Sequence, residues 1–241
     1  GVKQNPILHL AINLLFPWDF YWTLRLEKMR IEVKDRLPTW MQTLAQLEIY
    51  LSLAEFQETH PHFPFPQVHA HADFSLKCKK LAHPLIPATS RVGNDLELNR
   101  QQRCVIITGS NMSGKSTFLR SLGVNLLLAE AGTVVCAESL DFTPLDLATS
   151  LRLNDSLEEG LSSFYAEVRQ LKTILEDATS GRPVFYLIDE VFRGTNNRER
   201  LIGSRAFVKH LAKTQAVGLI TTHDLELSQL ATGNPGIKNF H

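Results

Sequence analysis

The sequence predicts an α/β protein, a mostly parallel sheet flanked by helices and preceded by an α-helical arm. Three observations carry this. Apolar runs of strand length, CVIITG, VFYLIDE and VGLITTH, alternate with helical stretches beginning near Lys115, Ser163 and Arg198, the pattern of parallel strands joined by crossover helices. Residues 20–56 show helical spacing only. The residues with distinctive chemistry all fall where the apolar runs end, where open α/β sheets bind their ligands.

The opening segment PILHLAINLLFPW is apolar, but His9, Asn13, Pro17 and Asp19 interrupt it, well short of the ~20 residues that a membrane span needs. A packed segment is expected there, and no span. From Phe20 to Phe56, Leu24, Leu26, Met29, Ile31, Val33 and Leu37, then Trp40, Leu44, Leu47, Tyr50, Leu51 and Ala54, recur at three-and-four spacing. That spacing predicts two long helices, or one broken at Pro38. The stretch HPHFPFPQVHAH is rich in proline and histidine and reads as a linker. His60, His62, His69 and His71 lack carboxylate or cysteine partners at short range, so no metal is assigned to them. The expected division is an arm and linker over 1–66 and a nucleotide-type domain over 67–241.

Composition limits the function classes. With 241 residues, 44% of them hydrophobic, the chain is long enough for a real core. Lys plus Arg equals Asp plus Glu at 25 each, so no overall charge draws it to nucleic acid or an acidic membrane, and DNA contacts would be local or outside this chain. KCKK, at Lys77–Lys80, reads as a solvated face rather than a phosphate track. Cys78, Cys104 and Cys136 are odd in number and widely spaced, which argues against a disulfide framework and for a reducing, cytoplasmic setting. Gly1 and the closing GIKNFH, which reads as the start of a strand, suggest a piece of a longer chain.

The chemistry begins in TGSNMSGKST. Gly109, four residues, then Gly114, Lys115 and Ser116 form a phosphate-binding loop between a strand and a helix. Backbone N–H groups of Gly109, Ser110, Asn111, Met112, Ser113, Gly114, Lys115, Ser116 and Thr117, with the helix dipole, would surround phosphates. Lys115 would neutralise the terminal phosphates and Ser116 would offer its hydroxyl to Mg²⁺. VFYLIDE ends in Asp189, suited to hold Mg²⁺, and Glu190, suited to activate water. His223 follows a third buried strand and would donate to a γ-phosphate oxygen. Ser162 and Ser163 begin an amphipathic helix carrying Phe164, Val168, Leu171 and Leu175. On composition alone that is equally an N-cap.

These pieces, in this order, resemble the ATPase domain of the MutS family of DNA mismatch repair proteins, relatives of the ABC ATPases. The resemblance runs from HPLIP at His83 to the C-terminus through TGSNMSGKSTFLRSLG, SLEEGLSSFYAEV, LIDEVFRGTNNRE and TTHDLELSQL. It implies ATP or ADP with Mg²⁺ as ligands and an ATP-dependent homodimer with composite sites. Ser162 and Ser163 would address the γ-phosphate held by the other subunit, Arg193, Gly194 and Thr195 would line the interface, and the helical arm would be part of a lever leading to a DNA clamp. Adenine contacts would fall to the Arg91–Asn94 loop and His241. The sequence departs from the family pattern where Ser110 replaces Pro, Ser113 and Phe192 replace Gly, and NNRER follows Thr195 at its first residue Asn196. None of these removes a phosphate or Mg²⁺ ligand. Two other readings compete: a nucleotide-dependent interaction module of a membrane-associated relative outside mismatch repair, and a phosphoryl-transferring kinase, for which no acceptor-binding element is evident. FQE at Phe56–Glu58 lies at the end of a helical stretch and is read as coincidence rather than as a DNA-intercalating motif.

Overall fold

The computed structural model describes residues 6–70, 73–110, 113–151, 163–192 and 195–240. The chain divides into two compact units, Gly1–Phe56 and Gln57–His241.

The first unit is helical. It comprises α1 (Pro6–Leu15), α2 (Trp18–Lys34) and most of α3 (Leu37–Thr59). The polar residues that interrupt the opening apolar run make the corner between α1 and α2. Asn13 Oδ1 accepts from the Asp19 N–H at 2.9 Å, Asn13 Nδ2 donates to Asp19 Oδ2 at 3.1 Å, and His9 Nε2 lies 3.0 Å from Asp19 Oδ1. Pro38 sits in the first turn of α3, where its missing N–H costs no helical hydrogen bond. Among the described residues, no helix is long and apolar enough to cross a membrane.

The second unit holds two sheets. A four-stranded sheet has the order β1-β5-β2-β3, from β1 (Gln67–Val68), β2 (Ser75–Leu81), β3 (Asn94–Asn99) and β5 (Ser139–Phe142). β2 runs antiparallel to β3 and β5, while β1 is parallel to β5. The five-stranded sheet is parallel throughout, in the order β6-β7-β8-β4-β9. Its strands are β4 (Cys104–Thr108), β6 (Asp146–Ser150), β7 (Val184–Asp189), β8 (Val217–Thr222) and β9 (Ile237–Phe240). The helices are α4 (Lys115–Glu130), α5 (Ser163–Thr179), α6 (Asn197–Leu211) and the short α7 (Leu225–Ser228).

Alternation along the parallel strands explains the layers. Val105, Phe185, Leu187, Val217 and Leu219 point to one face, where they meet Leu119, Leu122 and Leu126 of α4 and Leu76, Leu98 and Leu140 of the smaller sheet. Cys104, Ile106, Tyr186, Ile188 and Ile220 point to the other, against Leu171 and Ile174 of α5 and Phe207, Val208 and Leu211 of α6. A sheet covered on both faces needs strands that are apolar on both sides, which is why β7 and β8 are buried at every position. Gly218 is the exception in side-chain size: a Cβ there would lie 2.1 Å from the Tyr186 carbonyl oxygen and 2.4 Å from its ring.

The smaller sheet was not expected from the sequence. SLKCKKL does alternate, burying Leu76 and Cys78 and exposing Ser75, Lys77 and Lys79, but a bulge between Cys78 and Leu81 breaks the period, with Lys80 at φ 47°. The basic patch lies on this sheet, where Lys77 pairs with Glu97 at 3.2 Å and Lys80 with Glu138 at 2.7 Å.

Candidate phosphate-binding and acid-pair site

The three central strands of the parallel sheet, β7, β8 and β4, end side by side, and the turns that leave those ends build the site. After β4, Gly109 and Gly114 take φ of 155° and 89°, conformations that side chains disfavour, and α4 begins at Lys115. The ammonium of Lys115 donates to the carbonyls of Gly109 at 2.8 Å and Ser110 at 2.7 Å, and to Ser113 Oγ at 3.3 Å. It is thus a cation anchored at the start of a helix, where the dipole adds positive potential. Asn111 and Met112 lie outside the described residues.

Register then brings the acid pair to the loop. Asp189 is opposite Thr221, and Thr108 opposite Thr222. Ser116, in the first turn of α4, donates its hydroxyl to Asp189 Oδ1 at 2.8 Å. Asp189 is buried, 3% exposed. A serine hydroxyl and a carboxylate in contact are hard oxygen donors of the type that Mg²⁺ takes, so the donor set fits the ion. Beyond Asp189 the chain turns sharply, with Glu190 at φ 64°. That left-handed backbone costs on the order of 1–3 kcal/mol in a residue with a side chain, and it accompanies a bond from the Glu190 N–H to the Thr221 carbonyl at 3.1 Å. Glu190 Oε1 lies 2.7 Å from Nε2 of His223, just past β8.

A shallow recess is lined by Glu190, Val191, Arg200, Thr222, His223 and Asp224. Arg200, from the first turn of α6, reaches Asp224 with N–O distances of 3.2 and 3.5 Å. Arg205 and Glu226, at 2.9 Å, make a second brace between α6 and α7. The sequence alone does not single out Arg200 or Asp224. Their only signal there is a charge of each sign beside a motif.

The remaining expected positions are spread over several elements. Thr117 is in the first turn of α4, and Thr195 donates to Glu199 Oε2 at 2.7 Å in front of α6, whose N-cap Asn196 accepts from the Glu199 N–H. Ser163 opens α5, while Ser162, Arg193, Gly194 and His241 lie outside the described residues. Arg91 donates to the carbonyls of Pro84 and Ile86 and stands over the Phe63 ring at 5.3 Å. Its guanidinium therefore organises its own loop. Of the linker histidines, His60 stacks on Phe63 and His69 lies 3.8 Å from Asp141, and no cluster of metal-ligating side chains occurs among the described residues.

Comparison with known proteins decides the family. The family model MutS domain V matches residues 105–241, more than half of the chain. The chain belongs to the MutS family. One relative is a DNA mismatch repair protein MutS from Persephonella marina, 33% identical over 213 residues, which cover 87% of this chain and 24% of that protein. This MutS-family chain therefore spans about a quarter of the length of the curated relative it matches. The matched segment starts at Val105, so it contains the phosphate loop, the acid pair and His223.

Proposed function

We propose that this chain is the nucleotide switch of a MutS-type DNA-binding protein, binding Mg²⁺-ATP at Gly109–Thr117 and hydrolysing it. The observation that carries the reading is the convergence of Lys115, Ser116, Asp189, Glu190 and His223 at adjacent strand ends, linked by the Ser116–Asp189 and Glu190–His223 contacts. Chance glycine turns do not bring an acid pair and a histidine with them.

In this reading the loop amides and Lys115 hold the β- and γ-phosphates. Ser116 and Asp189 hold Mg²⁺, which supplies charge neutralisation at the phosphoryl oxygens. Glu190 orients and deprotonates the attacking water, and His223, whose Nε2 faces the Glu190 carboxylate in this structure, turns that N–H to a γ-phosphate oxygen once the nucleotide is bound. Ser162 and Ser163 act on the nucleotide of a second copy, so nucleotide binding and subunit contact become linked equilibria. DNA engagement and the repair role belong to regions mostly outside this chain.

The test is nucleotide binding and turnover in three proteins. Wild type is expected to bind ATP and release phosphate in a Mg²⁺-dependent way. Lys115→Ala weakens binding, whereas Glu190→Gln keeps binding and loses several orders of magnitude in turnover, the combined scale of a positioned base and its electrostatics. Normal hydrolysis by Glu190→Gln would remove the base assignment, and binding without turnover in wild type would favour an interaction module.

A further inference from the structure

Thr221 stands between the two acids, and nothing in the motif pattern gives it a role. It is fully buried, on the central strand β8, directly across from Asp189 in the parallel register. Its hydroxyl donates to Asp189 Oδ1 at 2.7 Å. The same oxygen lies 3.2 Å from the Glu190 N–H, which also bonds to the Thr221 carbonyl at 3.1 Å. One side chain thus touches the carboxylate of the first acid and the backbone of the second. The neighbouring threonine does something else: Thr222 accepts from the Asp224 N–H at 3.0 Å and shapes the turn after His223.

We infer that Thr221 is a positioning residue for the acid pair, fixing the plane of the Asp189 carboxylate toward Mg²⁺ and the backbone turn that aims Glu190. The inference rests on the ATPase reading above. Asp189 Oδ1 takes two hydroxyl donors, from Ser116 and Thr221. Ser116 is itself a metal-ligand candidate through a lone pair of its oxygen, so its placement also answers to the ion. Thr221 is dedicated to orientation. A carboxylate that loses such a donor rotates more freely, and groups that orient metal ligands commonly matter by 10–100-fold in affinity or activity. The second contact adds to this, because the left-handed Glu190 backbone is kept by the acceptors its N–H meets, and the Thr221 hydroxyl is one of them.

The experiment compares Thr221→Val, which keeps the shape and removes the donor, with Thr221→Ser, which keeps the donor and removes a methyl. Binding of a fluorescent ATP analogue is measured in EDTA and across a Mg²⁺ titration, together with steady-state turnover and thermal melts. Thr221→Val is expected to bind the analogue in EDTA like wild type but to need about 10–100-fold more Mg²⁺ for the metal-dependent gain in affinity. Its kcat should fall by a similar factor, with KM for ATP nearly unchanged. Thr221→Ser should restore both. If Thr221→Val does not fold, Thr221→Ala carries the same comparison. A Thr221→Val protein with wild-type Mg²⁺ dependence and kcat overturns the inference, and so does a Thr221→Ser protein as impaired as the valine variant, since packing would then be the cause. Absence of nucleotide binding in wild type overturns the ATPase reading and takes this inference with it, a result separable from the other two.

Discussion

At the residue scale the most informative contact is the 2.7 Å approach of His223 Nε2 to Glu190 Oε1. It joins side chains from two strand ends that no local spacing relates, and it gives the histidine a specific partner. His223→Ala should therefore leave ATP binding within a few-fold of wild type while lowering turnover by about 10²–10⁴, the range for a positioned acid or base. Phosphate-release kinetics against equilibrium binding checks this, and equal losses in both would make His223 a residue that only holds the bound nucleotide. The cysteines make a different point. Burial pushes the Cys78 and Cys104 thiols up to about 12 from 9.0, so the folded protein keeps both protonated where the unfolded chain has already lost those protons. The unfolded state then binds fewer protons, and stability is fully present below pH 9 and falls as pH rises toward 12. The slope is at most about 1.4 kcal/mol per pH unit for each thiol. Urea melts from about pH 8 upward should show the decline, and Cys104→Ala should flatten it.

At the scale of elements, the segment between β7 and α6 carries the clearest departure from the family pattern. Phe192 stands where the family has glycine, yet its φ of 57° is one that glycine adopts most easily. The ring has an evident anchor. It packs edge-on to Phe207 at 6.3 Å, and a Cβ on Gly203 would come within 2.9 Å of it. Gly203, a helix-interior glycine that otherwise weakens α6, makes the space that the ring fills. Gly203→Ala should cost about 1–3 kcal/mol by overpacking, and adding Phe192→Ala should recover part of it. A double-mutant cycle from denaturant melts measures the coupling, and strict additivity would show that the two do not share the space. These elements also mark what sequence could and could not disclose. β4, β7 and β8 announce themselves because a sheet covered on both faces demands uninterrupted apolar runs, and the helices begin where expected, near Lys115, Ser163 and Arg198. The four-stranded sheet stayed hidden because its strands are short or bulged and pair across wide gaps in sequence, as Ser75–Leu81 does with Ser139–Phe142. Thr221 was hidden for another reason: its role depends on cross-strand register, which apolar periodicity in a buried strand leaves unspecified.

At the scale of the whole molecule, the site's layout bears on assembly. The proposed phosphate, metal and water-directed groups, Lys115, Ser116, Asp189, Glu190 and His223, all come from one chain. In the proposed switch, a second copy adds Ser162 and Ser163, of which Ser163 opens α5. A helix N-terminus with hydroxyls directs N–H groups and positive dipole potential outward, and a γ-phosphate presented by another subunit would satisfy both. Binding energy at the nucleotide then appears as association energy between chains, because each ATP is shared by two surfaces. The Glu190→Gln protein isolates this linkage, since it holds ATP without consuming it. Sedimentation velocity should show a shift from one chain to two on adding Mg²⁺-ATP, with ADP giving less. Replacing Ser162 and Ser163 by alanine in the same background should abolish the shift while leaving nucleotide binding to the single chain nearly intact. If the serine variant still dimerises with ATP, the contacts that join the copies lie elsewhere and the trans assignment fails. If Glu190→Gln binds ATP and stays monomeric, the nucleotide site in this chain works without a partner's serines.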